Sequence, residues 1–132
     1  NPKIVICGVN PHAGENGTIG NEEIKYLIPI IKKLLRKKIK IEGPFSADSM
    51  FNKSNRSKYD CFICAYHDQA LIAFKIINEF KGVNFTGSLD VIRTSPDHGT
   101  AYNLVKTNKA DFNSLYQSFK LADKIYKNRL NK

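Results

Sequence analysis

Apolar positions follow two rhythms along this chain. Lys3-Ile4-Val5-Ile6-Cys7-Gly8 and Tyr59-Asp60-Cys61-Phe62-Ile63-Cys64-Ala65-Tyr66 are short, nearly continuous apolar runs. Runs of that length predict buried strands, the second one covered on both faces of a parallel sheet. Elsewhere the period lengthens to three or four: Ile24, Leu27, Ile28, Ile31, Leu34 and Leu35 form one stripe, which predicts a helix. Asn21 is placed to cap it, with Glu22 and Glu23 in a first turn where carboxylates favour the helix dipole. Pro29 interrupts the stripe and predicts a local bend.

Further along, Lys40 to Pro44 reads as a brief strand, Phe45 to Met50 and Phe51 as a loop or short helix, and Asn52 to Lys58 as an exposed polar connection. Leu71, Phe74 and Ile77 predict a helix over 69–77. Gly82 to Thr86 and Asp90 to Thr94 read as strands joined by a Gly-Ser turn, and Tyr102 to Val105 as a short helix after a turn-rich loop. From Phe112 a last helix is expected, with Phe112, Leu115, Tyr116, Phe119, Ala122, Ile125 and Tyr126 on an apolar face that must pack on something. Strands alternating with helices predict an α/β fold in layers.

The chain has 132 residues, 42% of them apolar, which suffices for one core. It contains no apolar run long enough to span a bilayer and no leader-like segment, so the expectation is a protein of the cytoplasm, without a membrane. Three cysteines do not make a disulfide framework and agree with a reducing compartment. A net charge of +9 raises the question of nucleic acid. The basic residues sit mainly in two helices, at Lys32, Lys33, Arg36, Lys37, Lys38 and at Lys120, Lys124, Lys127, Arg129, interleaved with apolar positions. That arrangement reads as a solvated helix face and not as a nucleic-acid surface.

Candidate chemistry gathers around Tyr66-His67-Asp68-Gln69, which follows a strand, where open α/β sheets place their ligands. His12 occupies the corresponding place after the first strand. The two imidazoles could ligate a metal together, completed by Asp68, Asp48, water or a residue elsewhere, or could serve as separate hydrogen-bonding loop residues. Cys61-x-x-Cys64 has redox or zinc spacing but lies within a strand, and buried packing is the expected role. Gly14, Gly17 and Gly20 lack the opening of a dinucleotide fingerprint and read as a loop that exposes His12 and backbone amides. Lys75, Asn84 and Arg93 could hold a phosphate or carboxylate, or be ordinary surface residues.

Asn-Pro-His-Ala-Gly-Glu (10 to 15), Gly-Pro-x-x-Ala-Asp (43 to 48), Tyr-His-Asp-Gln (66 to 69), Lys75, Val83-Asn84, Ile92-Arg93-Thr94-Ser95 and Asp97-His98-Gly99-Thr100-Ala101 closely resemble the 4-hydroxythreonine-4-phosphate dehydrogenase family of pyridoxal phosphate biosynthesis. The resemblance implies an α/β/α fold with a largely parallel sheet, like that of isocitrate and isopropylmalate dehydrogenases. It also implies NAD- and metal-dependent oxidation of 4-phosphooxy-L-threonine, followed by loss of carbon dioxide to give 3-amino-2-oxopropyl phosphate. By matching motif, His12 and His67 would ligate the divalent metal (zinc, magnesium or cobalt), and Lys75, Asn84 and Arg93 would bind substrate. Asp48 and Asp68 are then candidates for proton transfer or for supporting the metal ligands from behind. The loop around His98 resembles one that contacts the NAD adenosine in isocitrate and isopropylmalate dehydrogenases.

Family members run to well over twice this length, so the chain is read as their C-terminal portion. About 1–95 would be the metal- and substrate-binding part and about 96–132 a segment returning to the remaining domain. A third histidine ligand and a substrate-binding His-Thr pair belong to that remainder, and the family's active site is shared across a homodimer. The chain alone is therefore expected to be inactive. Ala70, where the family has Gly, and Pro96 depart mildly from the pattern. Without the resemblance, a free-standing metal- or phosphate-binding module is the competing expectation.

Overall fold

The computed structural model describes residues 1–131 and divides the chain into two units, Asn1–Ala73 and a second beginning at Phe74. In the first, the central strand β1 (Ile4–Cys7) pairs in parallel with β2 (Ile41–Phe45) on one side and β3 (Cys61–Ile63) on the other. Val5 and Cys7 are fully buried, and with Met50 and Tyr59 they form the core, flanked by Phe51 and Phe62. The Phe62 ring stacks on Phe51 at 5.5 Å and meets Tyr59 edge-on at 6.0 Å, geometries that aromatic quadrupoles favour.

The strand of residues 59–66 is shorter than its apolar run suggests. Only Cys61–Ile63 pair, and Cys61 and Ile63 are exposed. As the end strand of this sheet, β3 is not covered on both faces within this unit. Cys61 is thus not buried, contrary to expectation. Cys64 is half-buried with its Sγ 4.0 Å from that of Cys7, and burial pushes the Cys7 thiol up to about 12. Thiols held protonated are poor nucleophiles and poor metal ligands.

Helix α1 (Ile28–Arg36) is preceded by a π turn, Glu23–Leu27, in which Ile28 N–H donates to the Glu23 carbonyl five residues back. Pro29 has no N–H for Lys25 and would crowd its carbonyl, so the widened turn is the form the expected bend takes. Ile31 is buried, whereas Ile24 and Leu35 at the edges of the stripe are exposed. The first turn has no side-chain cap, so the cap expected from Asn21 is not formed.

After β2 come α2 (Ala47–Met50) and α3 (Lys53–Lys58). The second of these was expected as an exposed connection. It is exposed but helical, capped by the Asn52 side chain accepting from Asn55 N–H at 2.9 Å. Because α3 buries no residue, it carries no apolar stripe by which the sequence could reveal it. At its end, Lys58 Nζ lies 2.8 Å from Glu42 Oε2, which also accepts from Tyr59 Oη at 2.5 Å.

Those bonds hold the Glu42 carboxyl below its usual 4.5 and the Lys58 ammonium above its usual 10.5. The Glu42 contribution to stability is complete above the ordinary carboxylate value and is lost as pH falls through the lower folded value. The Lys58 contribution is complete below the ordinary ammonium value and is lost at higher pH. Glu42→Gln is therefore expected to lower the urea midpoint at neutral pH and to converge on wild type in acid. A neutral-pH difference that persists undiminished at pH 2 contradicts this assignment.

Helix α4 (His67–Asn78) runs from the first unit into the second. The second unit holds an antiparallel hairpin of β4 (Val83–Thr86) and β5 (Arg93–Pro96) with α5 (Asn113–Leu130). The strand expected over 90–94 thus begins three residues later, and Tyr102–Leu104 forms a 3-10 turn. The buried residues of α5 are Ser114 and Ser118, while Phe112 and Phe119 are 71% and 68% exposed. Ser114 Oγ donates to the Gly82 carbonyl at 2.5 Å and accepts from Asp97 N–H at 3.0 Å. The Ser118 carbonyl accepts from Thr94 Oγ1 at 3.0 Å. Hence α5 docks by a polar seam of small residues, and much of the face expected to pack looks outward.

Candidate active site

The first site-bearing segment follows β1. From His12 to Asn16 the backbone keeps φ at +53, +52, +79, +43 and +56°, five left-handed residues in succession. For residues with a Cβ this conformation costs roughly 1–2 kcal/mol each, and only Gly14 among the five escapes that cost. Something must hold the turn, and Glu23 is placed to do so. Only 2% exposed, it accepts Asn10 N–H on Oε1 at 2.8 Å and Asn10 Nδ2–H on Oε2 at 2.9 Å. Glu22 Oε2 takes the same Nδ2 at 2.6 Å. The two carboxylates expected to favour a helix dipole thus clasp the loop instead. Burial raises the Glu23 carboxyl, but the Asn10 bonds together with the backbone groups of Glu23 and Val9 leave it below its ordinary value.

Asp48 stands in α2, beyond the end of β2, where Ser46 Oγ donates to its Oδ1 at 2.5 Å. That bond holds its carboxyl below the usual value, and His12 is near enough to lower it further through its charge. His67 opens α4, beyond the end of β3. Its Nδ1 lies 2.7 Å from Asp68 Oδ1, with both side chains 76% exposed. A carboxylate on Nδ1 selects the tautomer that leaves Nε2 free to bind a ligand. Gln69 ties this turn to β1: Nε2 donates to the Gly8 carbonyl at 2.7 Å, and Oε1 accepts from Ala65 N–H at 2.7 Å. His12, Asp48, His67 and Asp68 therefore all follow the carboxyl ends of parallel strands.

In the second unit, Thr86 pairs with Arg93 and Asn84 with Ser95, which puts Asn84 and Arg93 on one face of the hairpin. Arg93 Nη1 donates to Thr86 Oγ1 at 2.8 Å. Lys75 Nζ lies 3.2 Å from Asp97 Oδ2 and donates to the Asp97 carbonyl at 3.1 Å. His98 is exposed with Nδ1 2.9 Å from the Gly99 carbonyl. A Cβ on Gly99 would meet nothing within 4 Å.

The imidazoles suit a divalent metal in kind, and His67 has the carboxylate partner typical of a ligand. They fall short in number: among the described residues, no group of three or more His, Cys, Asp or Glu side chains is placed to hold a metal ion.

The family profile of the pyridoxal phosphate biosynthetic protein PdxA matches residues 1–122. The chain belongs to the PdxA family. It is 50% identical over 128 residues to the 4-hydroxythreonine-4-phosphate dehydrogenase of Zymomonas mobilis, covering 97% of this chain and 38% of that one. With the corresponding enzyme of Paracoccus denitrificans, identity is 44% over 124 residues, 94% of this chain and 38% of the relative. The crystal structure of the 4-hydroxythreonine-4-phosphate dehydrogenase from Klebsiella pneumoniae superposes with a TM-score of 0.77 at 42% identity, over 92% of this chain and 37% of that one. This PdxA chain thus spans under two fifths of its relatives' length, and it shares their dehydrogenase fold over that stretch.

Glu23 is the site residue that sequence reasoning missed: it looks like an ordinary first-turn carboxylate and is recognised only by what it bonds across the fold. Gln69 stands within a motif singled out in the sequence, and the structure adds that it ties the His67 turn to Gly8. Among the described residues, no helix is long and apolar enough to cross a membrane.

Proposed function

We propose that this chain is part of an NAD- and metal-dependent 4-hydroxythreonine-4-phosphate dehydrogenase. Such an enzyme oxidises the hydroxyl of 4-phosphooxy-L-threonine and releases carbon dioxide from the resulting β-keto acid, leaving 3-amino-2-oxopropyl phosphate. The observation that carries the reading is the family match over residues 1–122. His12 and His67 would supply two imidazole ligands, the remaining donors coming from outside the described residues. A bound divalent ion would act as a Lewis acid toward the substrate's oxygen atoms. Asp48 is the candidate proton acceptor near His12, although the Ser46 bond that lowers its carboxyl makes it a weaker base than an unbonded aspartate, and Asp68 orients His67. Lys75, Asn84 and Arg93 offer an ammonium, an amide and a guanidinium to the phosphate and carboxylate of the substrate. His98, exposed in its turn-rich loop, would be the contact for the adenosine of the cofactor.

The outward apolar residues at the start of α5, Leu115, Tyr116 and Phe119, with Phe112 just before it, support a homodimeric enzyme, since patches of this kind mark interaction surfaces. NADH formation from NAD and 4-phosphooxy-L-threonine tests the reading. A longer parent protein containing this sequence is expected to turn over, and the 132-residue chain alone is not. Absence of turnover in the parent with zinc, magnesium and cobalt each supplied overturns the activity. Turnover by the short chain overturns its incompleteness.

A further inference from the structure

The geometry points to Glu23 as a positioning residue for His12: we propose that its buried carboxylate keeps the left-handed turn that fixes where the His12 imidazole is presented. The inference rests on the proposed reading of His12 as a metal ligand. The His12 ring, unlike that of His67, makes no hydrogen bond among the described residues, so the backbone of the turn sets the position from which the ring is presented. The turn is closed by its own backbone bonds, Ala13 N–H to the Asn10 carbonyl at 3.1 Å and Ile19 N–H to the Gly14 carbonyl at 3.2 Å, and the Glu23 carboxylate packs against it before and after His12. Before His12, Glu23 takes both Asn10 donors, and its Oε1 lies 3.0 Å from where a Cβ on Gly8 would be. After His12, its Oε2 lies 2.6 Å from where a Cβ on Gly14 would be. The carboxylate fills the inside of the turn and leaves no room for the chain to relax inward.

Both Glu23 oxygens act as acceptors. Glu23→Gln keeps the size but turns one of them into an amide NH2 facing an Asn10 N–H, two donors opposed. Asn10→Ala is the milder variant, removing the side-chain donor and sparing the backbone one. Zinc affinity by titration calorimetry and backbone amide exchange by NMR are measured on the full chain as wild type, Glu23→Gln, Asn10→Ala and His12→Ala. For Glu23→Gln, exchange at Asn10, Ala13 and Ile19 is expected to speed up about tenfold or more, with Ile4 and Gly8 in the sheet changing less than about twofold. Zinc affinity is expected to fall about tenfold to a hundredfold, the range for lost orienting partners. Asn10→Ala gives the same pattern more weakly, which covers the case in which Glu23→Gln does not fold.

Unchanged exchange in the turn overturns the positioning role. So does a uniform rise across sheet and turn, which reports only general support of the fold. If His12→Ala leaves zinc affinity as in wild type, the ligand reading of His12 fails instead, and turn exchange alone then decides the role of Glu23.

Discussion

Gly43→Ala is expected to destabilise the sheet-bearing unit by about 3 kcal/mol or more, read as a collapse of the urea midpoint. Gly43 holds φ at +123°, a conformation that residues with a Cβ rarely adopt, and a Cβ there would run into the carbonyl oxygen of Ile6 and lie 2.8 Å from Ile6 Cγ2. Both atoms belong to the central strand, which cannot yield without moving Val5 and Cys7, the fully buried members of the core. Strained backbone costs about 1–3 kcal/mol and overpacking about as much again.

The register shows why the glycine is there. Ile4 and Val5 pair with Ile41 and Glu42, but Cys7 pairs with Phe45, so Gly43-Pro44 is an irregularity that β1 must pass closely. Gly8 N–H then donates to the Phe45 carbonyl at 2.8 Å, which couples the end of β2, and Asp48 beyond it, to the segment leading to His12. Gly87→Ala is the control: its Cβ would meet only Phe85 Cε1, at 3.9 Å, and little change is expected. A Gly43→Ala midpoint within about 0.5 kcal/mol of wild type contradicts the argument.

What the sequence discloses depends on whether a residue's task is packing against its neighbours or bonding across the fold. Val5 and Cys7 are legible because the central strand of a parallel sheet is a continuous apolar run, and two residues apart they share its more deeply buried face, Ile4 and Ile6 on the other being half-buried. Ile31 is legible because helix burial repeats with the helix period. The same rule misleads at α5, where Phe112 and Phe119 have the period of a buried face but the docking side is Ser114 and Ser118. Small residues that bond backbone groups leave no hydrophobic trace. The run from His12 to Asn16 is illegible for a second reason: composition marks it as a turn, but backbone handedness follows from the distant Glu23. Motif residues do better, because each chemical type at the end of a strand is informative alone: His12, Asp48 and His67 all follow the carboxyl ends of parallel strands. Asn84 and Arg93 are legible by chemical type and by motif, but only the antiparallel register shows that they share one face.

On the proposed assignment, Arg93→Ala in the parent dehydrogenase is expected to lower kcat/KM for the phosphorylated substrate about a hundredfold, mostly through KM. A bidentate guanidinium contact to phosphate or carboxylate contributes roughly 3 kcal/mol, and about 1.4 kcal/mol is a factor of ten. The hairpin prepares that contact. Thr86 sits directly across from Arg93 and accepts one of its N–H groups at 2.8 Å, leaving the rest of the guanidinium fork to a ligand on the face shared with Asn84. Arg93→Lys keeps the charge but loses the fork, so an intermediate loss of about tenfold is expected. Thr86→Val removes only the orienting hydroxyl, and a smaller rise in KM should follow. Lys75→Met is expected to matter less than Arg93→Ala, because the Lys75 ammonium is already engaged by Asp97 at 3.2 Å and must give up part of that pairing to hold substrate. The order Ala, Lys, then the Thr86 variant separates a forked contact from a general electrostatic attraction, which Arg93→Lys would preserve in full. A KM for Arg93→Ala within twofold of wild type removes Arg93 from the substrate-binding set and leaves it a strand residue bonded to Thr86.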